Sequence, residues 1–206
     1  MAGKSRRDLY AEQTRAAVID AATARFATDG YAATTMDAIA EDANIAKGGL
    51  YHHFASKAEL FEAVFIEMET SLLSKVEKAG EKIWDEPGGS HDPLDLLYTG
   101  LDMFLAACAE PAYRRIALQD APGVLGPARY RAIGESFYLA GLREGLALLT
   151  ATGRYAVPPG DLPARMILAA LGEAGLAVAD AEDPEAERQR ARDVILRLIE
   201  GFRVRG

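Results

Sequence analysis

The stretch from residue 34 to residue 57, TTMDAIAEDANIAKGGLYHHFASK, constrains the fold of this 206-residue chain more than any other stretch. Apolar residues recur at helical spacing after Thr35, whose hydroxyl can cap a short helix. Asn44 follows, and asparagine tolerates the left-handed backbone that a tight turn between helices requires. A second short helix is expected over residues 46–54. The pattern as a whole predicts a helix-turn-helix.

In a helix-turn-helix the second helix enters the major groove of DNA, so its exposed residues are candidate contacts. Leu50 and Phe54 are four residues apart and are expected to face inward. Gly48 and Gly49 each cost a helix interior about 1 kcal/mol relative to alanine. Two alternatives follow: a loop, or a helix whose backbone comes close to DNA. Lys57 stands at the start of the next helix, where a phosphate oxygen is favoured.

These residues resemble the N-terminal domain of the TetR family of bacterial transcriptional regulators. The similarity runs in register through Phe26, Gly30-Tyr31, Thr34-Thr35, Ile39-Ala40, Ala43, Lys47-Gly48, Leu50-Tyr51, His53-Phe54 and Ser56-Lys57. The resemblance implies DNA contacts at Thr35, Lys47, Gly48, Gly49, Tyr51, His52, His53 and Lys57. Three positions depart from the family pattern: Asn44 replaces a turn glycine, Ala46 lacks a capping hydroxyl, and the acidic Asp37 would repel phosphate.

Charge is unevenly distributed along the chain. The net charge is −8, yet residues 1–57 carry as many acidic as basic side chains, so the excess acidity lies in residues 58–206. A neutral head with local cations can bind a duplex, while an acidic body limits nonspecific attraction. We therefore predict a helix-turn-helix DNA-binding domain at residues 1–57 and a helical effector-binding and dimerisation domain at residues 58–206.

Helical periodicity and capping signals predict an all-α fold. A basic arm of Lys4, Arg6 and Arg7 either reaches a neighbouring DNA groove or frays. A first helix is expected from Thr14 to Thr28, with Gly30 placed to end it. Later helices are expected at residues 56–82, 93–109, 111–120, 127–152, 162–180 and 184–203, most of the later ones opened by proline.

Small residues concentrate on the expected helix at residues 162–180, which allows a second helix to approach closely. The last helix, at residues 184–203, offers a broad apolar stripe. Two alternatives are an ordinary hairpin within the chain and a two-fold homodimer. The family resemblance favours the dimer, because TetR-family subunits pair through these helices. The predicted interface residues are Ala170, Gly172, Ala174, Ile195, Leu198 and Phe202.

The aromatic and soft side chains of the body concentrate on the expected helices between residues 93 and 152, with Trp84 and Met103 nearby. Such residues often form only a core, and that alternative stays open for each of them. Pockets for small organic molecules are also largely apolar, with a few polar anchors such as tyrosine hydroxyls. The predicted effector is therefore a small hydrophobic or aromatic molecule, bound by Trp84, Tyr98, Met103, Phe104, Cys108, Tyr113, Phe137 and Tyr138.

The sequence offers no constellation for catalysis. Its three histidines and single cysteine form no nucleophile–base pair or metal cluster at an informative spacing. We predict no enzymatic activity, no cofactor and no metal site. The lone Cys108 cannot form an intrachain disulfide, and no stretch without charged residues exceeds nine residues. A cytoplasmic protein outside the membrane is therefore expected.

Two functions are consistent with these features. The first is a dimeric DNA-binding transcriptional regulator, a repressor released from an inverted-repeat double-stranded DNA operator by its small-molecule effector. The second is an all-helical ligand-binding or protein-interaction module without operator switching. The match from Phe26 to Lys57 favours the first.

Overall fold

The computed structural model describes residues 5–85 and 91–204, apart from the side chains of Arg6, Arg7, Trp84 and Asp85. Regular structure in these ranges is helical, which confirms the predicted all-α fold. The elements are α1 (Arg6–Ala33), α2 (Met36–Asp42), α3 (Lys47–His53), α4 (Lys57–Asp85), α5 (Pro93–Ala109), α6 (Pro111–Tyr113), a π-helical segment (Arg114–Asp120), α7 (Ala121–Leu125), α8 (Pro127–Ala151), α9 (Leu162–Asp180) and α10 (Pro184–Glu200).

Helix α1 begins at Arg6, so the expected start at Thr14 is wrong. The reason is a capping box: the hydroxyl of Ser5 accepts a hydrogen bond from the Asp8 N–H, and the Asp8 carboxylate accepts one from the Ser5 N–H. These two bonds satisfy backbone N–H groups at the start of α1, and the first turn of the helix would otherwise fray. The predicted basic arm is therefore in part the first turn of α1, and Lys4 lies outside the described residues.

Helices α2 and α3 form the predicted helix-turn-helix. The Thr35 hydroxyl caps α2 by accepting a hydrogen bond from the Ala38 N–H at 3.2 Å. Asn44 takes the left-handed conformation in the turn, with φ of 52°. Leu50 and Phe54 are buried, as their spacing predicted. They join a core that also contains Val18, Ala22, Phe26, Ile39, Leu60, Phe61 and Val64.

The segment between residues 111 and 127 packs against α1. The Tyr31 N–H donates a hydrogen bond of 2.8 Å to the Asp120 carboxylate. Gly30, with φ of +78°, breaks the regular helix before the end of α1. This positive φ favours glycine, and the absence of a Cβ leaves room for the guanidinium of Arg115, whose Nη2 would lie 1.9 Å from a Cβ built at Gly30. The segment thus braces the end of α1 from a distant part of the chain.

The chain divides into two compact units. The head unit comprises Met1–Met68 and Pro111–Pro127, and the body unit comprises Glu69–Glu110 and Ala128–Gly206. By packing, the head unit therefore extends beyond the predicted boundary at residue 57 and includes a second segment. The assignment of DNA binding to residues 1–57 and of effector binding and dimerisation to residues 58–206 concerns function and stays a prediction.

The core of the body unit is built from α5, α9 and α10. Gly175 allows α9 to approach α5 closely, because a Cβ at this position would lie 2.8 Å from Sγ of Cys108 and 3.2 Å from Cε1 of Phe104. Cys108 is fully buried at this contact. At the far end of α10, Tyr155 and Arg203 form an isolated β-bridge that ties the loop before α9 to the end of α10.

By length and composition alone, α9 is apolar enough to cross a membrane. Pro163, Ala164, Ile167, Gly175 and Val178 of this helix are buried within the body unit. A helix in the core of a soluble protein passes the same test, so α9 is weak evidence for a membrane span.

Candidate nucleic-acid interface and ligand cavity

The exposed surface of α3 carries several of the predicted DNA contacts. Gly48 and Gly49 lie in the first turn of the helix, and a Cβ at either position would meet no atom within 4 Å. Of the two alternatives for this pair, the structure shows a helix rather than a loop. Tyr51 is 44% exposed in the middle of the same helix. Nothing in the described ranges, residues 5–85 and 91–204, requires glycine at residues 48 and 49, and their open surface would admit a close neighbour.

Lys47, the first residue of α3, lies against an acidic residue of α2. Its Nζ is 2.7 Å from Oδ1 of Asp37, and both side chains are more than half exposed. The hydrogen bond from this pair raises the pKa of Lys47. One of the positions that depart from the family pattern therefore neutralises one of the predicted DNA contacts.

The two histidines at the end of α3 differ in exposure. His52 is exposed, whereas His53 is half-buried. Their rings are 5.7 Å apart at 61°, an edge-to-face arrangement. His52 is therefore the more accessible of the two for a contact with DNA.

Lys57 differs from the other predicted DNA contacts because its ammonium group binds backbone carbonyls. Nζ donates hydrogen bonds to the carbonyl oxygens of Tyr31 at 2.7 Å and of Thr34 at 2.8 Å. It also lies 4.4 Å from the centroid of the Tyr31 ring, a cation–π distance. The structure therefore gives Lys57 a bracing role at the end of α1, which sequence reasoning missed. A phosphate contact by Lys57 stays a prediction.

The body unit contains an apolar cavity of about 730 Å³. Its walls come from α4, α5, α8, α9 and α10, mostly through leucine, isoleucine and glycine. Of the predicted ligand-binding residues, Phe104, Phe137 and Tyr138 line it. The rings of Phe104 and Tyr138 are 5.9 Å apart and edge-to-face. A volume of this size falls within the usual range for small-molecule sites.

The other predicted ligand-binding residues lie elsewhere. Tyr98 and Met103 are half-buried on α5 and are not among the cavity residues. Cys108 is fully buried, and burial raises its pKa to about 12, so it is a packed thiol. Tyr113 belongs to the head unit, where it is buried. The side chain of Trp84 lies outside the described residues.

Tyr138 connects the cavity to a buried carboxylate. Its hydroxyl donates a hydrogen bond to Oε2 of Glu69, a residue that is 2% exposed. Burying a carboxylate costs free energy unless it is hydrogen-bonded, so this contact stabilises Glu69 where it stands. Sequence reasoning did not find Glu69. It is one of several glutamates on α4, and no local signal in the sequence shows that this one is buried.

Comparison with known protein families agrees with this arrangement. The model described as bacterial regulatory proteins of the tetR family matches residues 18–64, and the tetracyclin repressor-like C-terminal domain matches residues 94–202. The second match alone covers more than half of the chain. The chain belongs to the TetR family. The prediction of a TetR-family transcriptional regulator is thus confirmed.

Individual TetR-family relatives support the same assignment. A probable acrEF/envCD operon repressor from Escherichia coli strain K12 is 39% identical over 85 residues, which cover 41% of this chain and 36% of that protein. The chain thus matches about a third of the length of such curated relatives. A TetR-family transcriptional regulator from Pectobacterium atrosepticum superposes with a TM-score of 0.80 at 27% identity, covering 98% of this chain and 99% of that one. RolR in complex with the ligand resorcinol shares the fold, with a TM-score of 0.70 at 21% identity over 93% of this chain and 89% of its own.

In this TetR-family chain, α9 and α10 present an outward apolar face. It comprises Leu162, Met166, Leu176, Val194 and Leu198, each at least 41% exposed. Of the predicted dimer residues, Leu198 and Gly172 are exposed on these helices, and Ala170, Ala174 and Phe202 are half-buried. Ile195 is only 2% exposed and lines the cavity, so its side chain packs within its own subunit and is not on the outward face. The neighbouring Val194 takes the outward position instead.

Proposed function

We propose that the protein is a dimeric repressor that binds an inverted-repeat operator through α3 and is released by a small hydrophobic or aromatic ligand. The observation that carries this proposal is the open surface of α3, where Gly48, Gly49 and Tyr51 face outward from a helix-turn-helix with a complete core. We expect the protein to act in the cytoplasm. The alternative is a helical ligand-binding or interaction module without operator switching.

DNA reading is the first element of the proposal. In a helix-turn-helix, residues at the start of the second helix meet base edges in the major groove. Here that start carries Lys47 and two glycines without side chains to hold the backbone away from the DNA. Tyr51, one turn later, is exposed and offers both a ring and a hydroxyl. Base recognition is therefore assigned to Tyr51, and close backbone approach to Gly48-Gly49.

Dimerisation is the second element, because an inverted repeat is read by two heads related by a two-fold axis. The outward apolar face of α9 and α10 is what such an axis would bury. Leu198→Glu should place a charge on this face and separate the subunits, since an unpaired buried charge is costly. Leu9→Glu is the matched control, because Leu9 has a similar exposure of 47% but lies on α1.

Ligand release is the third element. Leu72 and Val76 of α4 line the cavity, and α4 begins at Lys57 of the head unit. A ligand that selects one position of α4 would therefore change the placement of a helix that is continuous with the head. Successive major grooves on one face of DNA are about 34 Å apart, so a change in head spacing weakens operator binding. The resorcinol complex of RolR is consistent with an aromatic ligand in this fold.

A footprinting and gel-shift experiment on the region upstream of its own gene tests the proposal. Protection of an inverted repeat, lost when one half-site is scrambled, would support a dimeric operator binder. Sedimentation of the wild type should give a dimer, with Leu198→Glu monomeric and Leu9→Glu still dimeric. If the protein binds all duplexes of equal length alike, operator recognition is wrong and the binding-module alternative holds.

A further inference from the structure

The polar groups around the cavity share one chemical character. Within the described part of the chain, the charged residues that line it are Glu77 and Glu81 on α4 and Glu144 on α8. All three are exposed, so they lie toward the solvent side of an otherwise apolar wall. An ionised carboxylate has no proton to donate, so it acts only as a hydrogen-bond acceptor. The cavity therefore presents negative charge and acceptors at its rim.

Tyr138 adds a further acceptor from a different direction. A phenol has a single proton, and that of Tyr138 is donated to the buried Glu69 carboxylate. The lone pairs of the Tyr138 oxygen are acceptors only. A ligand that reaches this hydroxyl is therefore met by an oxygen that favours an N–H or O–H donor.

We propose that the cavity accepts an apolar molecule that carries a protonated amine. This proposal rests on the effector site of the proposed function and specifies its chemical class. The apolar wall of leucine, isoleucine and phenylalanine would bury the body of the ligand. The ammonium group would lie against the rim carboxylates or the Tyr138 oxygen, where each of its N–H groups finds an acceptor. An anionic ligand of the same shape would meet repulsion and no donor.

Three probes with the same alkyl body separate these possibilities: octylammonium, octanol and octanoate. Calorimetry with the full chain and without DNA gives the dissociation constant of each. Because the rim carboxylates are exposed and partly screened, we expect octylammonium to bind about tenfold more tightly than octanoate, with octanol between them. Added salt should reduce the difference in affinity between octylammonium and octanoate. Equal or tighter binding of octanoate, or no binding of any probe, would overturn the proposal.

Charge removal at the rim provides the second test. In the triple variant Glu77→Gln, Glu81→Gln, Glu144→Gln, the ligand ammonium has no rim carboxylate to pair with. The preference for octylammonium over octanoate should therefore fall to about twofold or less. Octanol affinity should stay unchanged, which shows that the cavity is intact. Glu173→Gln, an exposed acidic residue of α9 that does not line the cavity, should leave the preference as it is.

If the triple variant keeps the full preference, the rim carboxylates do not select the ligand and the proposal is wrong. Operator titration in the presence of octylammonium is a separate readout. Preferential binding of octylammonium supports the ligand class even where operator affinity does not change, and in that case only the switch of the proposed function fails.

Discussion

The ammonium of Lys47 at the start of α3 lies 2.7 Å from the Asp37 carboxylate of α2, across the turn of the helix-turn-helix. Both side chains are about 60% exposed, so the pair adds little to the stability of the fold. In the proposed complex with DNA, Asp37 would instead neutralise the cation at the start of α3 and compete with phosphate for it.

Replacing Asp37 by asparagine should therefore strengthen binding to every duplex. Freed from its partner, Lys47 would neutralise about one further phosphate, so the slope of log K against log salt should steepen by about 0.9. The ratio of operator affinity to scrambled-duplex affinity should stay unchanged, because both duplexes gain by the same factor. Fluorescence anisotropy at several salt concentrations measures both quantities. Glu41→Gln removes the same charge elsewhere on α2, and an equal effect of that variant would mean that net charge alone is responsible.

Lys57→Met should destabilise the head unit as well as weaken DNA binding. Methionine keeps much of the apolar stem near the Tyr31 ring but loses the hydrogen bonds to the carbonyl oxygens of Tyr31 and Thr34. Because hydrogen bonds from a charged donor contribute about 1.5–3 kcal/mol, a loss of about 2 kcal/mol in unfolding free energy is expected. Urea unfolding measures it. A variant with unchanged stability and weaker DNA binding would show that Lys57 acts on phosphate alone.

Gly175→Val should destabilise the body unit, because the added atoms would enter the contact with Cys108 and Phe104. Overpacking of this kind costs about 1–3 kcal/mol. Gly134→Ala on α8 is the matched control: a Cβ there meets nothing within 4 Å, so the alanine should stabilise the helix by up to about 1 kcal/mol. Thermal unfolding of both variants checks the prediction, which fails if Gly175→Val melts at or above the wild-type temperature.

Acid should weaken the junction between the loop after α8 and the end of α10. Hydrogen bonds from Arg203 and Tyr155 lower the pKa of Glu200 from 4.5 to about 2. A carboxyl group with a lowered folded pKa stabilises the protein fully above its unfolded pKa, and this contribution is lost as the pH falls from about 4.5 towards 2. Glu200→Gln should show a shallower fall in unfolding free energy over this range. If unfolding free energy falls equally with pH in the variant and the wild type, Glu200 is not the group that stabilises this junction.

Much of the fold follows from local sequence signals. Asn44 and Thr35 act through their own backbone neighbours, so the turn and the cap between α1 and α3 could be predicted from residue type and spacing. In the body unit, the starts of α5, α8 and α10 could be predicted from their prolines, since proline fits the first turn of a helix. Ser5 and Asp8 carried an equally local signal for the start of α1, which the prediction did not use.

The remaining features depend on contacts between distant residues. The hydrogen bond from Tyr31 to Asp120 joins positions 89 residues apart, and no periodicity within either segment indicates it. The cavity is lined mainly by leucine and glycine, which in a sequence look the same as core residues. Choosing aromatic and soft residues therefore found Phe104, Phe137 and Tyr138 but also Cys108, which packs against Gly175.

The most direct test of sequence reading by α3 is a titration of wild type and Tyr51→Ala against the operator and a scrambled duplex of equal length. If Tyr51 contacts a base, the variant should lose about 1–3 kcal/mol on the operator and little on the scrambled duplex. Gln119→Ala, at an exposed position of the π-helical segment, should behave as wild type. Unchanged operator affinity and sequence preference in Tyr51→Ala would contradict the assignment of α3 to the major groove.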